Sequence, residues 1–289
     1  MNYYLGFMMI IDFHTHIFPS FFRDKRSSFF SDEPTFEALY RFPQARLVGE
    51  SELLSSMDEN EVNRSVIFGF PWEKEEHYRR HNDYIIESVD RNPDRLIGFC
   101  CFSPLSSGGP SEVERCLKSG LSGVGELAVY DSDLTPGIIG SLKEVMALCL
   151  QFDVPLMLHT NEPVGHNYPG KAPMTMSGIY DFLKAYPLNR IVLAHWGGGL
   201  FFYNLMKKEV KEVLRNVWFD TAASPYLYTP GIYRIVEDVI GFEKILFGSD
   251  YPLIRVQLYF KEMKSAGLSP QAISQIAGLN AEQFLGIKD

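Results

Sequence analysis

The chain has 289 residues, 46% of them hydrophobic and 22% charged, and a formal net charge of −9 at pH 7. That acidic balance argues against a nucleic-acid surface, which needs a basic face, and no apolar run reaches the ~18 residues of a membrane span. The length suits two domains of ~150 residues or one α/β barrel of ~250.

Residues 1–8 are read as a leader, since Met8 or Met9 can also start translation. No basic residue precedes the apolar stretch, so a signal peptide is not expected. Residues 8–13 form an apolar run of the kind that makes a buried strand, and it stops in His14-Thr15-His16. Two residues apart on an extended backbone, His14 and His16 point the same way. They are half of a metal site or two unrelated loop histidines. The stretch over 18–40 is aromatic and aperiodic, with Phe18, Phe21, Phe22, Phe29, Phe30 and Phe36 among Arg23, Lys25 and Arg26. It is expected to form a lid or substrate wall beside the histidine strand.

A helix follows over 51–60 with Ser51 as N-cap, then a strand over 65–70. A helix marked by Tyr84, Ile85, Ile86 and Val89 stops before Pro93. The third strand covers 96–102, and a short helix over 112–118 closes at Gly120. The fourth strand, 123–127, carries Glu126 in an apolar setting where a carboxylate needs a cation or a hydrogen-bond partner. Leu142, Val145, Met146, Leu148 and Cys149 mark a helix. The fifth strand, 155–159, ends in His159. After a helix over 179–185, the sixth strand, 191–195, ends in His195 and is followed by Trp196 and three glycines. A helix over 202–215, a strand over 217–220, a helix over 235–240 and a strand over 245–250 ending in Asp250 complete the pattern. The tail, 256–286, is helical and capped around Asn280. The four cysteines, Cys100, Cys101, Cys116 and Cys149, show neither Cys-x-x-Cys spacing nor a disulfide framework, so a reducing cytoplasm is expected.

Eight strands alternating with helices imply parallel pairing with right-handed crossovers. The expected fold is a (β/α)8 TIM barrel over 9–289, a single domain with C-terminal helices. Active sites of that fold lie at the C-terminal ends of the strands. His14, His16, Glu126, His159, His195 and Asp250 all fall at that end. Each alone has a bland reading as a core histidine, an ion-pair partner or a cap; five strands ending this way together read as a site.

The sequence resembles the amidohydrolase superfamily, in its amidohydrolase-2 branch, over nearly the whole chain. The resemblance is carried by Asp12-Phe13-His14-Thr15-His16, the Gly-x-Gly-Glu of the fourth strand, His159, Ala194-His195-Trp196-Gly197-Gly198 and Phe247-Gly248-Ser249-Asp250-Tyr251-Pro252. It implies a barrel of the metal-dependent hydrolase type. His14, His16 and Asp250 would bind a first metal. His159 would bind a metal in both one-metal and two-metal members. His195 would hold a second ion or stand free as an acid/base. Glu126 matches the position of a bridging carboxylate, where many two-metal relatives carry a carboxylated lysine instead. The branch contains hydrolases such as lactonases and decarboxylases resembling aminocarboxymuconate-semialdehyde decarboxylase.

Imidazoles with carboxylates suit a divalent metal, with zinc expected, as one or two ions. Glu126 tilts the expectation to hydrolysis of an ester, lactone or amide by metal-activated water, with Asp250 and His195 as catalytic residues. Decarboxylation is the alternative, and a catalytically silent metal-binding barrel a further one. Trp72, Trp196 and Arg255 are the expected substrate contacts, Arg255 through a bidentate grip on a carboxylate or, equally, as a surface ion pair. His77, His81, His166, Lys171 and Tyr226 also lie in or near the loops at this end. The partner expected is a small-molecule substrate, with no nucleic acid and no membrane; a homodimer is left open.

Overall fold

In the computed structural model, which describes residues 8–287, eight strands pair in sequence order, all parallel. They are β1 (Ile11–His16), β2 (Arg64–Phe68), β3 (Leu96–Cys100), β4 (Gly123–Leu127), β5 (Leu156–Leu158), β6 (Ile191–Leu193), β7 (Val217–Asp220) and β8 (Ile245–Leu246). The chain beyond β8 returns to β1. Phe13 N donates to Phe247 O at 2.7 Å, His16 N to Tyr251 O at 2.9 Å, and Thr15 bridges Tyr251. With helices on every crossover, this is the expected (β/α)8 barrel. Of the leader expected over 1–8, residues 1–7 lie outside the described residues. No helix among those described is long and apolar enough to cross a membrane, and the four cysteines are buried and free.

Two apolar clusters hold the barrel. Ile11, Phe13, Val66, Phe68, Ile97, Phe99, Met157, Val192 and Leu246 form the smaller one with Ala281 and Phe284 of the last helix, Asn280–Leu285. Phe13 meets Phe99 and Phe284 edge-on, each at 5.7 Å. The larger cluster joins strands to helices and includes the aromatic segment after β1.

The elements differ from the sequence reading where the chain bends toward one end of the barrel. β1 runs through both histidines, because β2 and the segment at Tyr251 go on pairing with it. β5, β6 and β8 are only three, three and two residues long, so His159, His195 and Asp250 follow their strands instead of ending them. The helix expected over 202–215 is broken into short pieces, and a left-handed turn precedes it. His195, Trp196, Gly197, Gly198 and Gly199 have φ of 55°, 60°, 63°, 60° and 94°. A short helix, Glu209–Val213, comes only afterwards. A Cβ on Gly198 would sit 2.2 Å from Asn161 O, so a side chain is excluded there on steric as well as backbone grounds.

Ser51 is not the cap of its helix, Glu50–Glu59; Gly49 is, and its N–H donates to Glu52 Oε2 at 2.7 Å. Asn280 follows the segment Gln275–Leu279 and opens the last helix. Its Nδ2 donates to Phe242 O and Ile245 O, each at 2.7 Å, tying the last helix to the base of β8.

Candidate metal centre

Two irregular strands deliver the site. Ile11 and Phe13 join the barrel interior, and in a regular strand His14 would then face away from them. The β1–β2 register slips between Asp12 and Thr15, and the parity change turns His14 and His16 inward. Their rings lie 5.1 and 4.7 Å from that of Phe68. β4 slips in the same way between Val124 and Leu127. Gly125 there has φ +128°, and a Cβ would meet Met157 O at 2.4 Å. Only glycine lets the strand pass and bring Glu126 inside. Such bulges concentrate beside active sites.

The polar atoms converge on His14 Nε2. Asp250 Oδ1 lies 3.5 Å from it and 3.5 Å from His16 Nε2. Glu126 Oε2 lies 3.6 and 3.7 Å from the same two nitrogens, and Glu126 Oε1 is 3.5 Å from His195 Nε2. His14, His16 and Asp250 make one group whose ligand atoms are near enough to share an ion; His14, Glu126 and His195 make another. His14 Nε2 is buried without a hydrogen-bond partner among the described residues, although its ring donates from Nδ1 to Asp220 Oδ2 at 2.8 Å. An imidazole fixed on one side by a carboxylate, with its free nitrogen facing two more, is built to ligate a cation.

The charge pattern agrees. Asp220 and Glu126 are buried and Asp250 nearly so, and the ion-pair partners of these three carboxylates among the described residues are histidines. Burial alone would lower the His14 pKa, but Glu126, Asp220 and Asp250 outweigh it and raise it to about 10. Burial would raise Asp250, yet His16, His14 and His195 bring it down to about 2. Glu126, also buried, is held well below the usual carboxylate range by His14, His159 and His195. These three carboxylates are paired with no lysine or arginine among the described residues, and a divalent cation suits such a set.

His195 Nδ1 donates to Ala222 O at 3.1 Å, which aims Nε2 inward, and its backbone N–H donates to Asp220 Oδ1 at 2.8 Å. His159 stands outside both ligand groups. Nδ1 contacts Glu126 Oε1 and Nε2 contacts Gly170 O, both at 3.0 Å. Both nitrogens thus have a polar neighbour within the protein, and His159 is not among the residues whose ligand atoms are near enough to share an ion here. Asp12 clamps the ends of the chain together, accepting from Ser249 N at 2.8 Å and from His14 N at 3.2 Å. Burial raises its pKa to about 7 despite these bonds.

The expected substrate contacts fare differently. Trp72 is fully buried, stacked on Phe22 at 4.4 Å, with its indole N–H on His81 Nδ1 at 2.9 Å. Trp196 is fully buried, with its N–H on Ser224 Oγ at 3.0 Å. Both indoles are sealed in packing and correct the expectation that they line a ligand. Arg255 is exposed just before the helix Val256–Ser265 and is not brought to the ligand groups. His77 and His81 secure the segment after β1: His77 Nδ1 pairs with the buried Glu33 at 2.7 Å, and His81 Nε2 donates to Ile17 O at 2.6 Å. That segment folds into Ser20–Asp24, Arg26–Phe29 and Pro34–Tyr40. It packs on Phe70 and Trp72, next to the metal strands, as a wall should. Lys171 pairs with Glu162 at 3.0 Å, while His166 and Tyr226 are exposed.

Sequence reasoning missed Asp220, although it ends a strand as His16 does. It also missed Tyr40 and Tyr130, for which no spacing gave a signal.

Comparison with known proteins adds a family and a chemistry. The family described as Amidohydrolase matches residues 11–287. A γ-resorcylate decarboxylase from a Polaromonas species is 26% identical over 71% of this chain and 75% of its own length. Among solved structures, 5-carboxyvanillate decarboxylase from Sphingomonas paucimobilis superposes with a TM-score of 0.77 at 18% identity, covering 98% of this chain and all of the other. A dihydroxybenzoic acid decarboxylase from Polaromonas, with bound manganese and 2-nitroresorcinol, gives 0.69 at 18% identity over 97% and 98%. These relatives overturn the expectation of hydrolysis. Its basis was Glu126 at the position of a carboxylate that bridges two metals.

Proposed function

The chain belongs to the amidohydrolase family, and within it we propose that it is a metal-dependent, non-oxidative decarboxylase of a small aromatic carboxylic acid bearing ring oxygens. The observation that carries this reading is the match to γ-resorcylate decarboxylase over most of both chains. The aromatic surroundings of the site support it, with Phe68, Phe70, Tyr40 and Tyr130 around the histidines.

His14, His16 and Asp250 would hold the ion, proposed as manganese rather than zinc because the solved Polaromonas decarboxylase contains manganese. When bound, a divalent ion supplies a Lewis acid that draws charge onto the substrate's oxygens. His195, hooked to Ala222 through Nδ1, presents Nε2–H to the ring carbon that carries the carboxylate. The carbon–carbon bond breaks, its electron pair stays on the ring carbon, the His195 proton is transferred there, and carbon dioxide leaves. His195 then regains a proton from solvent. The aromatic wall excludes bulk water from the step.

The test is manganese-loaded protein incubated in deuterated water with two hydroxyaryl acids that carry a single carboxylate, 2,6-dihydroxybenzoate and 2,3-dihydroxybenzoate. Carbon dioxide release with one deuterium at the former carboxylate carbon is expected from at least one. No release from either, with metal bound, would overturn the reading.

A further inference from the structure

Two tyrosine hydroxyls near the metal groups are left unused by the chemistry above. Tyr130, in the loop after β4, places its ring 5.2 Å from that of His159 and parallel to Phe70 at 6.5 Å and 8°. Tyr40, the last residue of the helix Pro34–Tyr40, meets Phe70 edge-on at 5.9 Å. Its backbone is fixed, since Arg26 Nη1 donates to Tyr40 O at 3.3 Å and to Ala45 O at 2.8 Å. Neither hydroxyl has a hydrogen-bond partner among the described residues, yet neither is among the buried atoms sealed without one. Both therefore open onto accessible space. Burial first, and then the charges of Asp250 and Glu126, push the acidity of each phenol to higher pH. Both stay neutral and keep an O–H to donate.

We infer that Tyr40 and Tyr130 form a neutral hydroxyl clamp that reads a ring oxygen of the substrate and discriminates against a second carboxylate, an inference that rests on the decarboxylase reading. A phenolic or methoxy oxygen can exchange a hydrogen bond with either tyrosine. A second carboxylate, beyond the one the ion takes up, would enter beside Glu126 and Asp250, whose ion-pair partners among the described residues are histidines with no lysine or arginine. Lys171, the ammonium in the loop after β5, is already held by Glu162 at 3.0 Å. Unpaired like charge is an effective means of rejecting a wrong ligand.

The experiment is calorimetry on the manganese-loaded protein with three probes: 2-nitroresorcinol, which carries two ring hydroxyls, benzoate, which carries none, and isophthalate, which carries a second carboxylate. Wild type should bind 2-nitroresorcinol tightest and isophthalate no better than benzoate. Tyr40→Phe and Tyr130→Phe should each weaken 2-nitroresorcinol by about 3- to 10-fold, the loss of one neutral hydrogen bond. Benzoate affinity and manganese stoichiometry should stay unchanged, which also shows that the variants fold. Equal weakening of both ligands, no weakening at all, or a preference for isophthalate would overturn the clamp. If wild type releases carbon dioxide from a hydroxyaryl acid and the variants fail to discriminate, only the clamp falls. If wild type binds none of the probes and releases no carbon dioxide, the decarboxylase reading falls with it.

Discussion

Asp220 Oδ2 accepts a hydrogen bond from His14 Nδ1 at 2.8 Å, while its Oδ1 accepts one from the backbone N–H of His195, also at 2.8 Å. One carboxylate on β7 thus orients a ligand from β1 and the proposed proton donor after β6. It also fixes which nitrogen of His14 is free.

Asp220→Asn should therefore weaken metal binding by about 10–100-fold, the usual cost of losing a carboxylate behind a ligating histidine. The amide can present its NH2 to Nδ1 and favour the wrong tautomer. Manganese titration followed by calorimetry measures this; an unchanged affinity would show that the pair serves the fold alone.

Asp250→Asn should bind metal weakly and release no carbon dioxide from a substrate that wild type converts, with an unchanged circular dichroism spectrum. An amide is a poorer ligand for a hard divalent ion than a carboxylate. Normal turnover with bound manganese would remove Asp250 from the ligand set.

Gly248→Ala should disturb the same place sterically. A Cβ at Gly248 would stand 2.7 Å from His14 Cβ and 3.4 Å from Asp220 Cβ. Overpacking of this kind costs about 1–3 kcal/mol. Urea unfolding should show that loss, together with weaker metal binding.

The wall segment should loosen in acid. His81 is buried and neutral, accepting from Trp72 and donating to Ile17; burial lowers its pKa to about 3. Below the unfolded value of ~6.5 the unfolded chain takes up a proton that the folded chain refuses until about pH 3. The sign is a loss of stability as pH falls through that window. Between pH 7 and 5.5 it amounts to about 1 kcal/mol. Urea midpoints of wild type should fall more steeply over this range than those of His81→Gln, which can still accept and donate. Parallel slopes would exclude His81 as the source.

The barrel was legible because alternation of apolar runs with helical periods survives any local irregularity. The identities of His14, His16, Glu126, His195 and Asp250 were legible as polar residues where buried strands end. What the sequence hid is what irregularity creates. Period-two reasoning put His14 and Phe13 on opposite faces, and the slip in β1 puts both inside. The turn at 195–199 is left-handed, and three glycines announce flexibility without announcing handedness. Residue type alone says nothing of Gly170 O, which lies 3.0 Å from the second nitrogen of His159. Trp72 and Trp196 looked like binding residues because large aromatics serve cores and ligands equally well.

The clamp between Asp12 and Ser249 joins residues 237 apart in the sequence. Contacts of such separation form late, because the intervening loop must be closed first. His14 and His16 leave the ribosome long before Asp250, from which more than two hundred residues separate them. A nascent or truncated chain then holds the two imidazoles without the carboxylate that completes their group. Completion of that group is in this way a report that synthesis has reached the eighth strand.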